Sequence, residues 1–79
     1  MSDNLKERLR EIIAEIAEID EVPDEAPFKD LGIDSMMALE IVNDVERTYK
    51  LSINEDEIEH LTNLNAVYAK VQQKLAEAA

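Results

Sequence analysis

The hydrophobic positions of residues 5–16 follow the spacing of one face of an α-helix. They recur at intervals of three and four residues: Leu5, Leu9, Ile12, Ile13 and Ile16. Asn4 and Glu7 have the spacing of a capping box, in which side chains bond the free N–H groups of a helix start. The pattern predicts a first helix over about residues 4–19, whose other, solvated side carries glutamates at positions 7, 11, 15 and 18.

A break follows, because the single glycine, Gly32, and both prolines, Pro23 and Pro27, lie between residues 23 and 32. Residues 35–49 contain neither type, and their apolar side chains gather on one side of a helix at about 100° per residue. These side chains are Ala38, Leu39, Ile41, Val42, Val45 and Tyr49. We therefore expect a long first loop and then a second amphipathic helix.

Two further helices are predicted in the last third of the chain. Asn54 and Glu57 repeat the capping-box spacing, and Ile53 and Ile58 are placed as a hydrophobic staple, so a short helix should run to about Leu61. A last helix, capped by Thr62 or Asn63, carries apolar residues at helical spacing: Leu64, Val67, Tyr68, Val71 and Leu75. No long segment alternates with period two. The prediction is one all-α domain over residues 1–79, a four-helix bundle with three longer helices and one short third helix.

Composition restricts what such a bundle can do. Nineteen acidic residues stand against eight basic ones, for a net charge of -11, so nucleic acids and anionic membranes are poor partners and basic protein surfaces are good ones. Cysteine is absent and His60 is the single histidine, which leaves little for catalysis or for zinc binding. We expect a chain that hosts chemistry without being an enzyme.

The acidic stretches do not predict a dedicated metal site. Residues 20–25 and 54–57 lack the central glycine and the alternating ligands of a calcium loop. Residues 1–10 contain no apolar run typical of a signal peptide, and no stretch approaches the length of a membrane span. The expected location is the cytoplasm.

Ser35 opens the second helix just after Gly32, Ile33 and Asp34. Serine and aspartate are preferred helix caps, which would account for both residues structurally. The start of a helix also offers free N–H groups and the positive end of the helix dipole, and it therefore tolerates an attached phosphate. Because no base is at hand in the sequence, Ser35 is better read as a substrate for another enzyme than as a nucleophile.

The segment from Phe28 to Met36, FKDLGIDSM, resembles the prosthetic-group signature of acyl carrier proteins, F-x-x-L-G-x-D-S-L. The resemblance continues through the second helix at Leu39 to Val42, the entry to the third helix at Ile53 to Glu57, and the last helix from Thr62 to Val71. It covers nearly the whole chain, and length and acidity agree with it.

This resemblance implies that Ser35, preceded by Asp34, is esterified with 4'-phosphopantetheine by a magnesium-dependent phosphopantetheinyl transferase. The thiol of the arm would hold acyl intermediates as thioesters and carry them between fatty-acid or polyketide enzymes. The carrier would be a monomer and not an enzyme. In the family, the positions that line the space taking up the acyl chain match or neighbour Leu39, Ile53, Ile58, Leu61 and Val67. The same five residues would equally serve as ordinary core residues.

A recognition face is predicted beside the serine. Met36, Glu40 and Asp44 project from the same end and side of the second helix as Ser35. Acyl synthases and transferases with basic surfaces would be steered by these acids, while an adaptable methionine would contact them.

Departures from the usual pattern leave the pathway open. Met36 stands where leucine is usual, Met37 where a polar residue is common, and Arg47 interrupts an acidic stretch. A carrier for a polyketide, an unusual acyl group or an amino acid fits as well as a fatty-acid carrier. Asp34 argues against a peptidyl carrier, which more often has histidine there. Alternatives are an aminoacyl or D-alanyl carrier, and an unmodified acidic helical adaptor that binds basic proteins.

Overall fold

The fold consists of four α-helices and one short 3₁₀ helix. A computed structural model describes the backbone of residues 2–78 and the side chains of residues 5–77. The elements are α1 (Ser2–Ala17), the 3₁₀ helix (Phe28–Leu31), α2 (Ser35–Tyr49), α3 (Glu55–Ile58) and α4 (Leu64–Ala78). This stretch contains no strand, and the predicted all-α bundle with a short third helix is confirmed. None of its helices is long and apolar enough to cross a membrane.

The helix ends differ from the sequence predictions by a few residues. α1 ends at Ala17 and not at residue 19, because Glu18 adopts a left-handed conformation and Ile19 N–H closes the helix on Ala14 O at 3.1 Å. The cap predicted at Asn4 lies outside the described side chains. Between the two candidate caps of α4, Asn63 is the one used, since its Oδ1 accepts a hydrogen bond from Ala66 N–H at 2.8 Å.

α3 is a single turn that ends at Ile58, three residues before the predicted end at Leu61. After Ile58 the backbone forms a tighter turn with hydrogen bonds of the 3₁₀ type. Leu61 N–H donates to Ile58 O, three residues back, and not to the carbonyl four residues back. The predicted N-cap is observed at Asn54, whose N–H donates to the Glu57 carboxylate at 2.9 Å. His60 is exposed in the turn that follows.

The core is aliphatic apart from one aromatic ring, Phe28. α1 packs against both α2 and α4, and removal of the apolar side chains from water stabilises these contacts. The buried side chains are Leu9, Ile13, Val22, Phe28, Ile33, Ile41, Val42, Val45, Ile53, Leu61, Leu64, Val67 and Val71. None of them comes from α3, which touches the core through the half-buried Ile58.

The first loop is held in place by an ionic and backbone network around Asp24. Its carboxylate accepts hydrogen bonds from Lys6 Nζ at 3.0 Å and Arg10 Nη2 at 2.6 Å, and its backbone O accepts one from Asn65 N–H at 3.1 Å. Arg10 also donates to Val22 O. These bonds join the loop to α1 and to the start of α4.

Candidate functional site

The start of α2 is built by Gly32 and Asp34. Gly32 has φ +78°, a left-handed conformation that glycine adopts without a side-chain clash, and it ends the 3₁₀ helix. Asp34 then becomes extended, and its Oδ1 accepts a hydrogen bond from Met37 N–H at 2.9 Å. Asp34 is therefore the helix cap, and Ser35 is the first residue of the helix itself.

The Ser35 side chain is exposed at this helix end. Within the described side chains its hydroxyl has no hydrogen-bond partner, so nothing withdraws its proton or holds it in one orientation. The first-turn N–H groups beside it carry the positive end of the helix dipole. The same part of the chain shows no group of three or more His, Asp or Glu side chains arranged to hold a metal ion. The arrangement offers an accessible hydroxyl next to a site favourable to an anion.

A groove of about 700 Å³ opens directly beside Ser35. Its three walls are the 3₁₀ helix, the first turns of α2, and α3 with the turn after it. The lining residues are Pro27, Phe28, Lys29, Ile33, Asp34, Ser35, Ala38, Leu39, Glu55, Ile58, Glu59, Leu61 and Thr62. The uncharged members are largely apolar and the charged ones belong to elements at the surface, so the groove can accept a flexible apolar chain that begins at Ser35.

Met36 and Glu40 of the predicted recognition face are exposed and Asp44 is half-buried, and the two acids carry unequal net charge. Met36 and Leu39 are large apolar side chains that leave 74% and 44% of their surfaces in solvent. Asp44 Oδ1 lies 3.1 Å from Arg47 Nη2, so an internal cation offsets its charge. Glu40 is exposed and forms no ion pair with any described residue. Of the two predicted acids, Glu40 presents the less compensated charge to a partner.

Comparison with known proteins identifies the family of this chain. The family model described as phosphopantetheine attachment site matches residues 7–71. The chain belongs to the acyl carrier protein family. It is an acyl carrier protein that bears covalent 4'-phosphopantetheine, and members of this family are carriers and not catalysts.

Relatives of this carrier come from polyketide systems. It is 40% identical over 75 residues to polyketide-8 synthase acyl carrier protein 2 of Streptomyces avermitilis. The aligned stretch covers 91% of this chain and 86% of the relative. It is also 40% identical over 76 residues to the anthracycline acyl carrier protein DpsG of Streptomyces peucetius, covering 90% of each. Among solved structures, an acyl carrier protein of Thermotoga maritima superposes with a TM-score of 0.85 at 28% identity, covering 99% of this chain and 94% of that one.

The carrier's residues fit the prosthetic group. The exposed Ser35 hydroxyl is available for an ester, the first-turn N–H groups of α2 favour an anion beside it, and an apolar groove opens at the same residue. When bound, the group supplies the thiol that this cysteine-free chain lacks.

The five predicted acyl-pocket residues lie in two places. Leu39, Ile58 and Leu61 line the groove beside Ser35. Ile53 and Val67 leave only 7% and 1% of their surfaces exposed, and they pack in the core without lining the groove. An acyl chain that stays in the groove would reach the first three, whereas contact with the other two would require the core to open.

Sequence reasoning missed the wall formed by Pro27, Phe28 and Lys29. The prediction was only of a long first loop, whereas Phe28 within it is buried and its N–H donates to Thr62 O at 2.8 Å. A lone aromatic residue between two breaks is a signal for such an anchor. Ala38 also lines the groove, and its position three residues after Ser35, on the same helix side, could have indicated it.

Proposed function

We propose that Ser35 is the residue that carries 4'-phosphopantetheine. The observation that supports this most directly is that its exposed hydroxyl stands in the first turn of α2 and lines an apolar groove. Asp34, whose carboxylate caps the helix, sets the backbone direction that exposes the serine. Serines elsewhere in the chain, Ser2 and Ser52, lie outside the signature.

Intact mass tests this assignment. The chain is incubated with coenzyme A, magnesium and a phosphopantetheinyl transferase of broad specificity. The natural chain and Ser52→Ala should each gain one phosphopantetheinyl group, and Ser35→Ala should gain none. A gain that survives Ser35→Ala would refute the assignment, and no gain in any of the three chains would favour the unmodified acidic adaptor.

We further propose that the thioester cargo is a polyketide intermediate. Both relatives at 40% identity are named for polyketide or anthracycline systems, and they match along nearly their whole length. The mass of the acyl group on the protein isolated from its host would test this. An oxygen-rich β-keto chain would support the proposal, a saturated chain would indicate a fatty-acid carrier, and an amino acid would indicate an aminoacyl or D-alanyl carrier.

The proposed partners are the phosphopantetheinyl transferase and acyl synthases or transferases with basic surfaces. Support comes from the net charge of -11, from Glu40, which has no ion-pair partner among the described side chains, and from the exposed Met36 one residue after the serine. We also propose that the chain itself performs no catalysis, since the Ser35 hydroxyl has no base beside it within the described structure. Its cytoplasmic location and monomeric state stay predictions.

A further inference from the structure

α3 is a groove wall with no fully buried residue of its own. Its Ile58 is half-buried against the core, and Glu55, Ile58 and Glu59, from α3 and its last turn, line the groove. The backbone hydrogen bonds found for residues 54–61 stay within that segment. The opposite wall is anchored by the buried Phe28, with its backbone bond to Thr62. Side-chain contacts must therefore set where α3 lies.

Glu57 makes such contacts, and it turns away from the groove towards α4. Its Oε1 lies 3.3 Å from Lys70 Nζ, and its Oε2 lies 3.1 Å from Lys74 Nζ. The three side chains leave only 24%, 23% and 19% of their surfaces exposed, so solvent screens the pairs less than at an open surface. Lys70 and Lys74 are one helical turn apart, and a single carboxylate thus joins α3 to two successive turns of α4.

The same carboxylate also accepts the Asn54 N–H at 2.9 Å, at the start of α3. The pKa of Glu57 is lowered to about 2. The backbone bond from Asn54 is the largest cause, and the hydrogen bonds from Lys74 and Lys70 lower the pKa further. Glu57 therefore stays ionised at neutral pH and bonds the helix start and both lysines at once. Neither lysine lines the groove, so any influence they have on it passes through Glu57.

We propose that Lys70 and Lys74 form a clamp that, through Glu57, sets the position of α3 and thereby the width of the groove open to the carried chain. The lysines are positioning residues, and they touch neither the arm nor its cargo. The first half of this inference concerns the protein without its arm. The second half rests on the proposed function, because it needs a chain attached at Ser35.

The first half is tested on the unmodified protein with Lys70→Gln/Lys74→Gln, which keeps Glu57 and its cap bond. The matched control is Arg8→Gln/Lys50→Gln, which loses the same charge from two exposed residues that form no ion pair with described residues. We expect amide hydrogen exchange at Ile58 and Leu61 to become roughly tenfold faster in the clamp variant alone.

Exchange in α1 and over residues 64–71 should stay unchanged, and Lys70→Arg/Lys74→Arg should restore slow exchange at Ile58 and Leu61. Unchanged exchange at these two amides, or equal acceleration in the control, would overturn the clamp. This outcome does not depend on whether Ser35 is modified.

The second half is tested on the protein that bears the arm, once its intact mass has confirmed the modification. An acetyl or an octanoyl group is then loaded onto the thiol of the arm. Thioester cleavage by hydroxylamine reports how well each group is shielded. In Lys70→Gln/Lys74→Gln, octanoyl cleavage should slow at least threefold relative to acetyl cleavage, because a released α3 admits the longer chain. Faster amide exchange with an unchanged cleavage ratio would overturn the control of groove width. A chain that gains no arm would instead contradict the proposed function.

Discussion

Glu40 and Asp44 occupy the same face of α2, but they do not present equal charge. Asp44 lies 3.1 Å from Arg47, whereas Glu40 has no such neighbour among the described residues. Helical spacing placed both acids beside Ser35. The difference in their net charge comes from the ion pair of Asp44 with Arg47, which depends on side-chain positions that helical spacing does not predict. Glu40 is therefore the residue at which electrostatic steering by basic partners should be most sensitive.

Reversing the charge of Glu40 should slow modification of the carrier. We expect Glu40→Lys to lower the initial rate of phosphopantetheine transfer roughly tenfold at low salt, because it replaces attraction to a basic enzyme with repulsion. Mass spectrometry of timed samples measures the rate. Glu11→Lys, an equal charge change on the exposed side of α1, should leave it nearly unchanged. If Glu11→Lys slows transfer as much, net charge and not the face around Glu40 is what the enzyme senses.

Glu57 should titrate far below an ordinary glutamate. Its pKa is lowered from 4.5 to about 2, first by the Asn54 N–H and then by Lys74 and Lys70. Because the folded pKa lies below the unfolded one, the stability it contributes is present above pH 4.5 and is lost as the pH falls towards 2. Carboxyl chemical shifts followed by NMR measure this.

In Lys70→Gln/Lys74→Gln the Glu57 pKa should rise but stay below its ordinary value, since the Asn54 bond remains. A midpoint near 4.5 in the natural chain would contradict both the cap and the ion pairs.

At the scale of single elements, the signature around Ser35 has a backbone role as well as a chemical one. Gly32 supplies the left-handed turn and Asp34 supplies the cap, and together they start α2 where the serine is exposed. α2 was predicted over residues 35–49, as observed, because its cap and its apolar stripe agree. α3 was predicted too long, since four residues contain too little periodicity to mark where a helix ends.

Removing the Asp34 cap should fray the first turn of α2. We expect Asp34→Ala to lower the free energy of unfolding by about 1 kcal/mol, because the Met37 N–H loses its acceptor. Asp34→Asn keeps an oxygen at that position and should retain most of the stability. Urea unfolding followed by circular dichroism measures both variants. Equal stability of the two would show that the cap bond does not stabilise the helix.

At the scale of the whole molecule, most of the few basic side chains form ion pairs with acidic side chains of the same chain. Of the eight basic residues, Lys6, Arg10, Lys70 and Lys74 join separate elements, and Arg47 pairs within α2. The excess acids, including those along α1, are left on the surface. The net charge of -11 therefore repels itself across a molecule only 34 × 28 × 19 Å in extent.

Added salt should stabilise this molecule. We expect the melting temperature to rise by about 5 °C between 10 and 300 mM sodium chloride, as screening of like charges outweighs weakening of the partly exposed ion pairs. A few millimolar magnesium at constant ionic strength should add to the rise by condensing on the acidic surface. Thermal melting followed by circular dichroism measures both effects, and a melting temperature indifferent to ionic strength would contradict the expectation.

The sequence by itself determined the features that depend on near neighbours in the chain. Helical periodicity placed the longer helices, and capping patterns placed the start of α3 at Asn54 and limited that of α4 to Thr62 or Asn63. The exposure of Ser35 also follows from local chemistry, because a glycine turn, a cap and a helix start occupy consecutive residues. All of these involve bonds between residues no more than about four apart, which a linear pattern records.

The tertiary structure decided everything that depends on how the helices are placed against one another. It divided the predicted pocket residues, with Leu39, Ile58 and Leu61 on the groove and Ile53 and Val67 in the core. It also ordered the first loop as a groove wall and brought α4 lysines to Glu57, 13 residues before Lys70. Interhelical angles and distances come from packing of the whole core, and no local pattern in the sequence encodes them.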